Sequence, residues 1–241
     1  MVTDQWRHFG TSVRGPGHVR ACLPNQDAFR VASYKWGDVA VVSDGVGSCP
    51  TSEHGSSAAC RAVADSIKSW IQGAAGMNVL LESIYLNWLE RVKPFKPHES
   101  AATCLFAFRP VEGRMIFGML GDGLIAILKN DGSYMELSDD KVDCFSNQTV
   151  ALSAATKTAQ WRVADVAQEE CNAVLLCTDG IADDLLPEKR EEFVRWIFEG
   201  GQKLAVISLT REIRKMLVKW PTPKHTDDKT MVGLFRREEE L

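Results

Sequence analysis

Apolar and polar positions along the chain change period repeatedly, and each change marks an element. Phe9–Val13 and Ala28–Ser33 have strand character, and the run Val39–Ser43 has the unbroken hydrophobicity of a strand buried on both faces. From Ser52 the period becomes three to four. Ala59, Ala62/Val63, Ser66/Ile67 and Trp70/Ile71 predict an amphipathic helix, capped by Thr51 or Ser52 and ended by Gly73 and Gly76. Leu80/Leu81, Ile84/Tyr85, Trp88/Leu89 and Val92 predict a second, from about Asn78 to Val92, stopped by Pro94 and Pro97. Two neighbouring apolar stripes need a flat apolar surface to cover. Thr103–Phe108, Arg114–Leu120 and Leu124–Lys129 supply it as β-branched and aromatic strands, broken at 110–113 and 121–123 and expected to follow one another as hairpins. Asn130-Asp131-Gly132 predicts a type I′ turn into Tyr134–Leu137.

Farther on, Ser138–Gln148 is polar and irregular, whereas Thr149–Leu152, Trp161–Val166 and above all Ala173–Cys177 read as strands. A helix opened by Pro187 carries Phe193, Val194, Trp196 and Ile197 on one face and is expected to end at Gly200-Gly201. A further helix from about Gln202 to Val218 and a strand Thr230–Phe235 close the pattern. The segment Arg14–Asp27, with two glycines, two prolines and no helical period, predicts a loop. Strands, a helix pair, many strands, a second helix pair and a last strand make an α+β fold, expected as one domain over residues 1–241.

Composition narrows the function. At 45% hydrophobic, 25% charged and a net charge of -4, the chain has no basic footprint for nucleic acid. No apolar run approaches 18 residues and the first residues lack a signal-peptide core, so no membrane partner and a cytoplasmic location are expected. The seven cysteines form no Cys-x-x-Cys pair and read as reduced core residues.

The candidate chemistry lies where strands stop. Three apolar strands each end in an aspartate followed by glycine: Asp44-Gly45, Asp122-Gly123 and Asp179-Gly180. If these meet Asp27 from the loop and Asp227 or Asp228 near the end, their charges raise one another's pKa and oppose folding unless a cation joins them. An all-oxygen donor set favours a hard ion, Mg²⁺ or Mn²⁺. Two such ions ~4 Å apart can bridge a water and make it a nucleophile near neutral pH, and a phosphate ester is the natural substrate. Arg14, His18 and Arg20 in the loop would then suit a phosphate, although each also reads as an ordinary surface residue.

Asn25-Gln26-Asp27-Ala28, Val42-Ser43-Asp44-Gly45-Val46-Gly47, Gly121-Asp122-Gly123, Leu176-Cys177-Thr178-Asp179-Gly180 and Asp227-Asp228-Lys229-Thr230 occur in this order. Together they resemble the motifs of the metal-dependent type 2C Ser/Thr protein phosphatases, bacterial type, over about residues 10 to 236. The resemblance implies a four-layer α-β-β-α sandwich of two antiparallel sheets flanked by helix pairs, with two or three Mg²⁺ or Mn²⁺ ions at one edge between the sheets. It implies that Asp44 bridges two ions with the Gly45 carbonyl as a further ligand, and that Asp179 and Asp227 hold the first ion. By the same resemblance Asp122 helps hold a third ion, Asp27 ligates directly or through water, and one of Arg20, Arg14 and His18 contacts the phosphate. A phosphorylated protein, a Ser/Thr kinase or its target, is the implied substrate, and a monomer is expected. Two departures stand out: Gln26 replaces the family's usual Glu and removes a charge, and Val46 stands where animal members carry a histidine. Ser138–Thr158 falls at the family's variable flap. Two further readings are a pseudo-phosphatase that only binds a phosphoprotein or kinase, which Gln26 favours, and a hydrolase of small phosphate esters.

Overall fold

The computed structural model describes residues 6–73, 76–138, 150–221 and 226–237. Its strands are β1 (Trp6–Val13), β2 (Ala28–Tyr34), β3 (Gly37–Ser43), β4 (Cys104–Pro110), β5 (Arg114–Leu120), β6 (Leu124–Lys129), β7 (Tyr134–Ser138), β8 (Arg162–Ala167), β9 (Cys171–Cys177) and β10 (Lys229–Arg236). They pair antiparallel into two five-stranded sheets, one ordered β1-β10-β9-β6-β7 and the other β2-β3-β4-β5-β8. Helices α2 (Ser52–Gly73) and α3 (Met77–Arg91) cover the second sheet, and α5 (Pro187–Lys203) and α6 (Val206–Val218) cover the first.

The two-residue period of the strands builds these layers. Val39, Val41, Cys104, Phe106 and Phe108 pack toward α2 and α3, while Ala40, Val42, Leu105 and Ala107 turn the other way and meet Val174, Leu176, Val232 and Leu234 of the opposite sheet. Ala173, Leu175, Met231 and Phe235 face α5 and α6. Central strands therefore bury both faces, which is why they read as continuous apolar runs rather than as alternating ones.

Several expectations are corrected. The turn at 121–123 does not close a hairpin: β5 belongs to one sheet and β6 to the other, so this turn carries the chain across the sandwich. Gly121 and Gly123 both have left-handed backbone (φ +97 and +120), which lets the crossover be so short. The turn at 130–132 joins β6 to β7 as expected, but only Gly132 has positive φ and the Gly132 N–H donates to the Lys129 carbonyl, so it is not a type I′ turn. Helix α5 runs through Gly200-Gly201, because Gly201 lies against Phe235 and Leu209 where a Cβ would come within 3.3 Å of both. The segment expected as a strand at 149–152 contributes one bridge, Leu152 to Ala102, and Thr149 lies outside the described residues. The polar excursion Ser138–Gln148 is likewise outside them apart from Ser138 itself. Finally, the loop 14–27 contains a short helix, α1 (Pro16–Arg20).

Trp88 on α3 is fully buried and its Nε1 donates to the Gly55 carbonyl of α2 at 3.0 Å, tying the helix pair to itself above the sheet. Trp88→Ala is expected to lower the unfolding free energy by about 3–5 kcal/mol in urea titrations, since it opens a cavity and removes a buried hydrogen bond.

Candidate metal centre

The strand period continues past the hydrophobic core and places the polar residues that follow it. Asp44 extends the parity of Ala40 and Val42, Thr178 that of Val174 and Leu176, and Thr230 that of Val232 and Leu234, so all three turn into the seam between the sheets. The Asp44 main chain is locked to the Thr103 residue on both sides: its N–H donates to Thr103 Oγ1 at 2.9 Å and its carbonyl accepts the Thr103 N–H at 2.8 Å. Gly45 has no room for a side chain because a Cβ would stand 2.8 Å from the Ser52 main chain at the start of α2. Its N–H donates to the Gln26 carbonyl at 3.2 Å, which brings the Asp27 segment alongside.

Asp179 opens the four-residue helix α4 (Asp179–Ala182) at the end of β9. Gly180 lets this helix press on β10: a Cβ there would lie 1.9 Å from the Asp228 carbonyl oxygen. The Thr178 hydroxyl donates to Asp27 Oδ2 at 2.8 Å and accepts the Thr230 N–H at 3.1 Å. Asp27, Asp44, Asp179 and Asp227 thus share one seam, and Asp122 reaches it from the crossover turn.

The electrostatics record this convergence. Burial pushes the Asp27 carboxyl up to about 6, with the Asp228 charge adding to it and hydrogen bonds with Thr230, Asp44 and Thr178 opposing it. Burial and the charges of Asp27, Asp179 and Asp227 hold Asp44 well above the ordinary carboxylate range. Asp179 is raised to about 8 by burial and by Asp122, Asp27, Asp227 and Asp183. Asp27 Oδ1 and Gln26 Oε1 are both buried without a hydrogen-bond donor. The carboxylates outnumber the positive charge beside them and the cluster has surplus acceptors, and a hard divalent cation supplies both needs.

The two adjacent aspartates near the end have different surroundings. Asp228 is 1% exposed, and its Oδ1 accepts the Gly15 N–H at 2.6 Å while its Oδ2 accepts the Gln26 N–H at 2.6 Å and pairs with His18 Nδ1 at 2.8 Å. Asp227 is 40% exposed on its side chain and faces the centre. His18 therefore sits at the cluster rather than on the surface, with Nε2 at 3.7 Å from Asp227 Oδ1. Arg14 is turned aside, its Nη1 donating to the Leu23 carbonyl at 3.1 Å, and Arg20 is exposed at the end of α1.

Asp228 entered the sequence reading only as an alternative to Asp227, and Lys229 was not singled out. Asp228 pins the whole loop 15–26 to β10, and Lys229 is a buried cation whose Nζ donates to the Asp227 carbonyl at 3.0 Å. Burial lowers its pKa while Asp184, Asp227, Asp228 and Asp27 oppose the shift. A lysine set between an aspartate pair and a strand was the available signal.

Among curated proteins no match is found. Among solved structures the chain resembles the photosystem II phosphatase PBCP, at 14% identity and TM-score 0.67 over 96% of this chain and 98% of that one. It resembles a bacterial serine phosphatase at 13% identity and TM-score 0.65 over 98% and 100%. It also resembles the serine/threonine phosphatase Stp1 from Staphylococcus aureus, at 10% identity and TM-score 0.61 over 99% and 96%. At these identities the likeness is one of fold, a sandwich of two sheets flanked by helices. The Protein phosphatase 2C family model matches residues 14–218, which include Asp27, Asp44, Asp122 and Asp179. The chain belongs to the protein phosphatase 2C family, the metal-dependent protein-serine/threonine phosphatases.

Proposed function

We propose that the carboxylate seam holds Mg²⁺ or Mn²⁺ and hydrolyses phosphoserine and phosphothreonine in proteins, a Ser/Thr kinase or its target being the substrate. The observation that carries this reading is the convergence of Asp44, Asp179, Asp27 and Asp227, with pKa values raised by burial and mutual repulsion in the first three. Asp44 with the Gly45 carbonyl, Asp179 and Asp227 are the proposed ligands, with Asp27 beside them and Asp122 toward a third ion. Divalent ions held there would acidify water and screen the phosphoryl oxygens, the chemistry that phosphomonoester hydrolysis requires.

The chain's own residues prepare that chemistry. Thr103 and Ser52 fix the Asp44-Gly45 main chain, so the Asp44 carboxylate is oriented before any ligand arrives. Thr178 holds one oxygen of Asp27 and leaves the other unpaired toward the seam. Arg14, which spends one of its five N–H donors on the Leu23 carbonyl, and the exposed Arg20 are the proposed phosphate contacts. Val46 offers no proton to the leaving group. Gln26 turns its main chain to Asp228 and Ser56, a structural role that does not require an inactive enzyme. No helix of the described residues is long and apolar enough to cross a membrane, and we propose a cytoplasmic monomer.

Turnover of p-nitrophenyl phosphate is expected to need Mn²⁺ or Mg²⁺, to stop in EDTA and to fall at least ~10²-fold in Asp44→Asn. Metal-independent turnover would sink the proposal. Phosphopeptides assayed beside nucleotides and sugar phosphates separate a protein phosphatase from a hydrolase of small esters.

The raised carboxyls also set a pH dependence. Their folded-state values exceed the ordinary one of 3.8, so their contribution to stability is complete below about 4 and is lost as pH rises through about 6 and about 8. Metal-free protein should therefore melt at lower temperature at pH 8.5 than at pH 5. Mn²⁺ should raise the melting temperature more at pH 8.5 than at pH 5, and Asp179→Asn should flatten the metal-free profile between about pH 4 and about pH 8. Calorimetric scans across this range check all three.

A further inference from the structure

The placement of His18 goes beyond an all-oxygen centre. Its Nδ1 is engaged with Asp228 Oδ2 at 2.8 Å, and Asp228 is buried with both oxygens already taken by the Gly15 and Gln26 N–H groups and by this ring. Asp228 is thus a holder of the imidazole, each of its oxygens already accepting at least one N–H donor. What remains is Nε2, on a half-buried ring, 3.7 Å from Asp227 Oδ1. That separation is too long for a hydrogen bond. It is close to the ~3–3.5 Å between neighbouring ligands of one ion with bonds of ~2.1 Å. A carboxylate gripping one ring nitrogen while the other points at an ion is the arrangement in which metal-binding histidines are usually found.

The loop is built to keep this geometry. Gly15 and Gly17 let α1 lie directly on the main chain of residues 226 and 227, since a Cβ at Gly15 would stand 2.2 Å from the Asp227 carbonyl group. The Gly17 N–H donates to the Thr226 carbonyl at 2.8 Å. His18 and Asp227 are consequently carried on one rigid unit, although 209 positions separate them in the sequence, from 18 to 227.

We infer that His18 Nε2 is a nitrogen ligand to the ion that Asp227 holds. The inference rests on the proposed metal centre and adds to it a mixed nitrogen and oxygen shell, which favours Mn²⁺ over Mg²⁺ because Mg²⁺ takes oxygen almost exclusively. The competing role is structural: the ring would only fasten α1 to Asp228.

Pulsed EPR of the full chain loaded with Mn²⁺ alone distinguishes the two. A ¹⁴N coupling in the wild-type spectrum is the expected result, and the wild-type protein suffices to decide it. His18→Asn, whose amide can still donate to Asp228, should lose the coupling. It should weaken Mn²⁺ binding by at least about tenfold in calorimetry while leaving Mg²⁺ binding within about twofold. Mn²⁺ bound without any nitrogen coupling overturns the inference and leaves the proposed function standing. Absence of Mn²⁺ binding to the wild-type protein overturns both. If His18→Asn and wild type bind Mn²⁺ equally, the ring is a fastening and not a ligand.

Discussion

Like charges forced together at the seam of the sandwich are the constraint from which the rest of the site follows. Asp27, Asp44 and Asp179 are each held above the ordinary carboxylate range, so the fold opposes a repulsion that it also creates. It can do so because the groups sit at the ends of strands whose interiors are fully buried. Val39, Val41 and Val42 before Asp44, and Val174, Leu175 and Leu176 before Asp179, have no exposed surface. Burying such side chains is worth about 1.5–3 kcal/mol each, enough in sum to hold a destabilising cluster at the rim. The stability of a cluster assembled this way depends on pH as a direct result.

Sequence order hides the way the pieces meet. The strand Val39–Ser43, the helices from Ser52 and near Asn78, and the strands Arg114–Leu120 and Leu124–Lys129 were legible because burial on both faces or on one stripe dictates their periods. The convergence of Asp44 with Asp179 was legible only as a repeated grammar of strand, aspartate and glycine. What the period could not reveal was which strands share a sheet. Gly121-Asp122-Gly123 has the look of a hairpin turn and is instead the bridge between the sheets, so Asp122 arrives at the seam from the connection itself. Gly200-Gly201 misled for a related reason: a glycine pair signals a helix end by propensity, but contact with Phe235 and Leu209 outweighs a propensity of about 1 kcal/mol per residue.

Loop 14–27 was the least legible part, since nothing in Gly15-Pro16-Gly17-His18 announces a helix of five residues. Such a helix is too short to be stable alone. It exists because Asp228, 213 positions from Gly15, accepts N–H groups from both ends of the loop. Long-range satisfaction of backbone donors leaves no local period to read.

Asp227 and Asp228 make the same point at the level of single side chains. In sequence they are interchangeable carboxylates, and the spacing to Thr230 is the only guide between them. In the folded chain, adjacent residues at the mouth of a strand point to opposite sides. One carboxylate then meets solvent and the seam, and the other meets two backbone N–H donors and His18. Donor number decides the role: an aspartate whose oxygens are all occupied by N–H groups is a strut, and one left short of donors is available to a cation. The strut also aims the histidine: by engaging Nδ1, Asp228 leaves Nε2 turned toward Asp227.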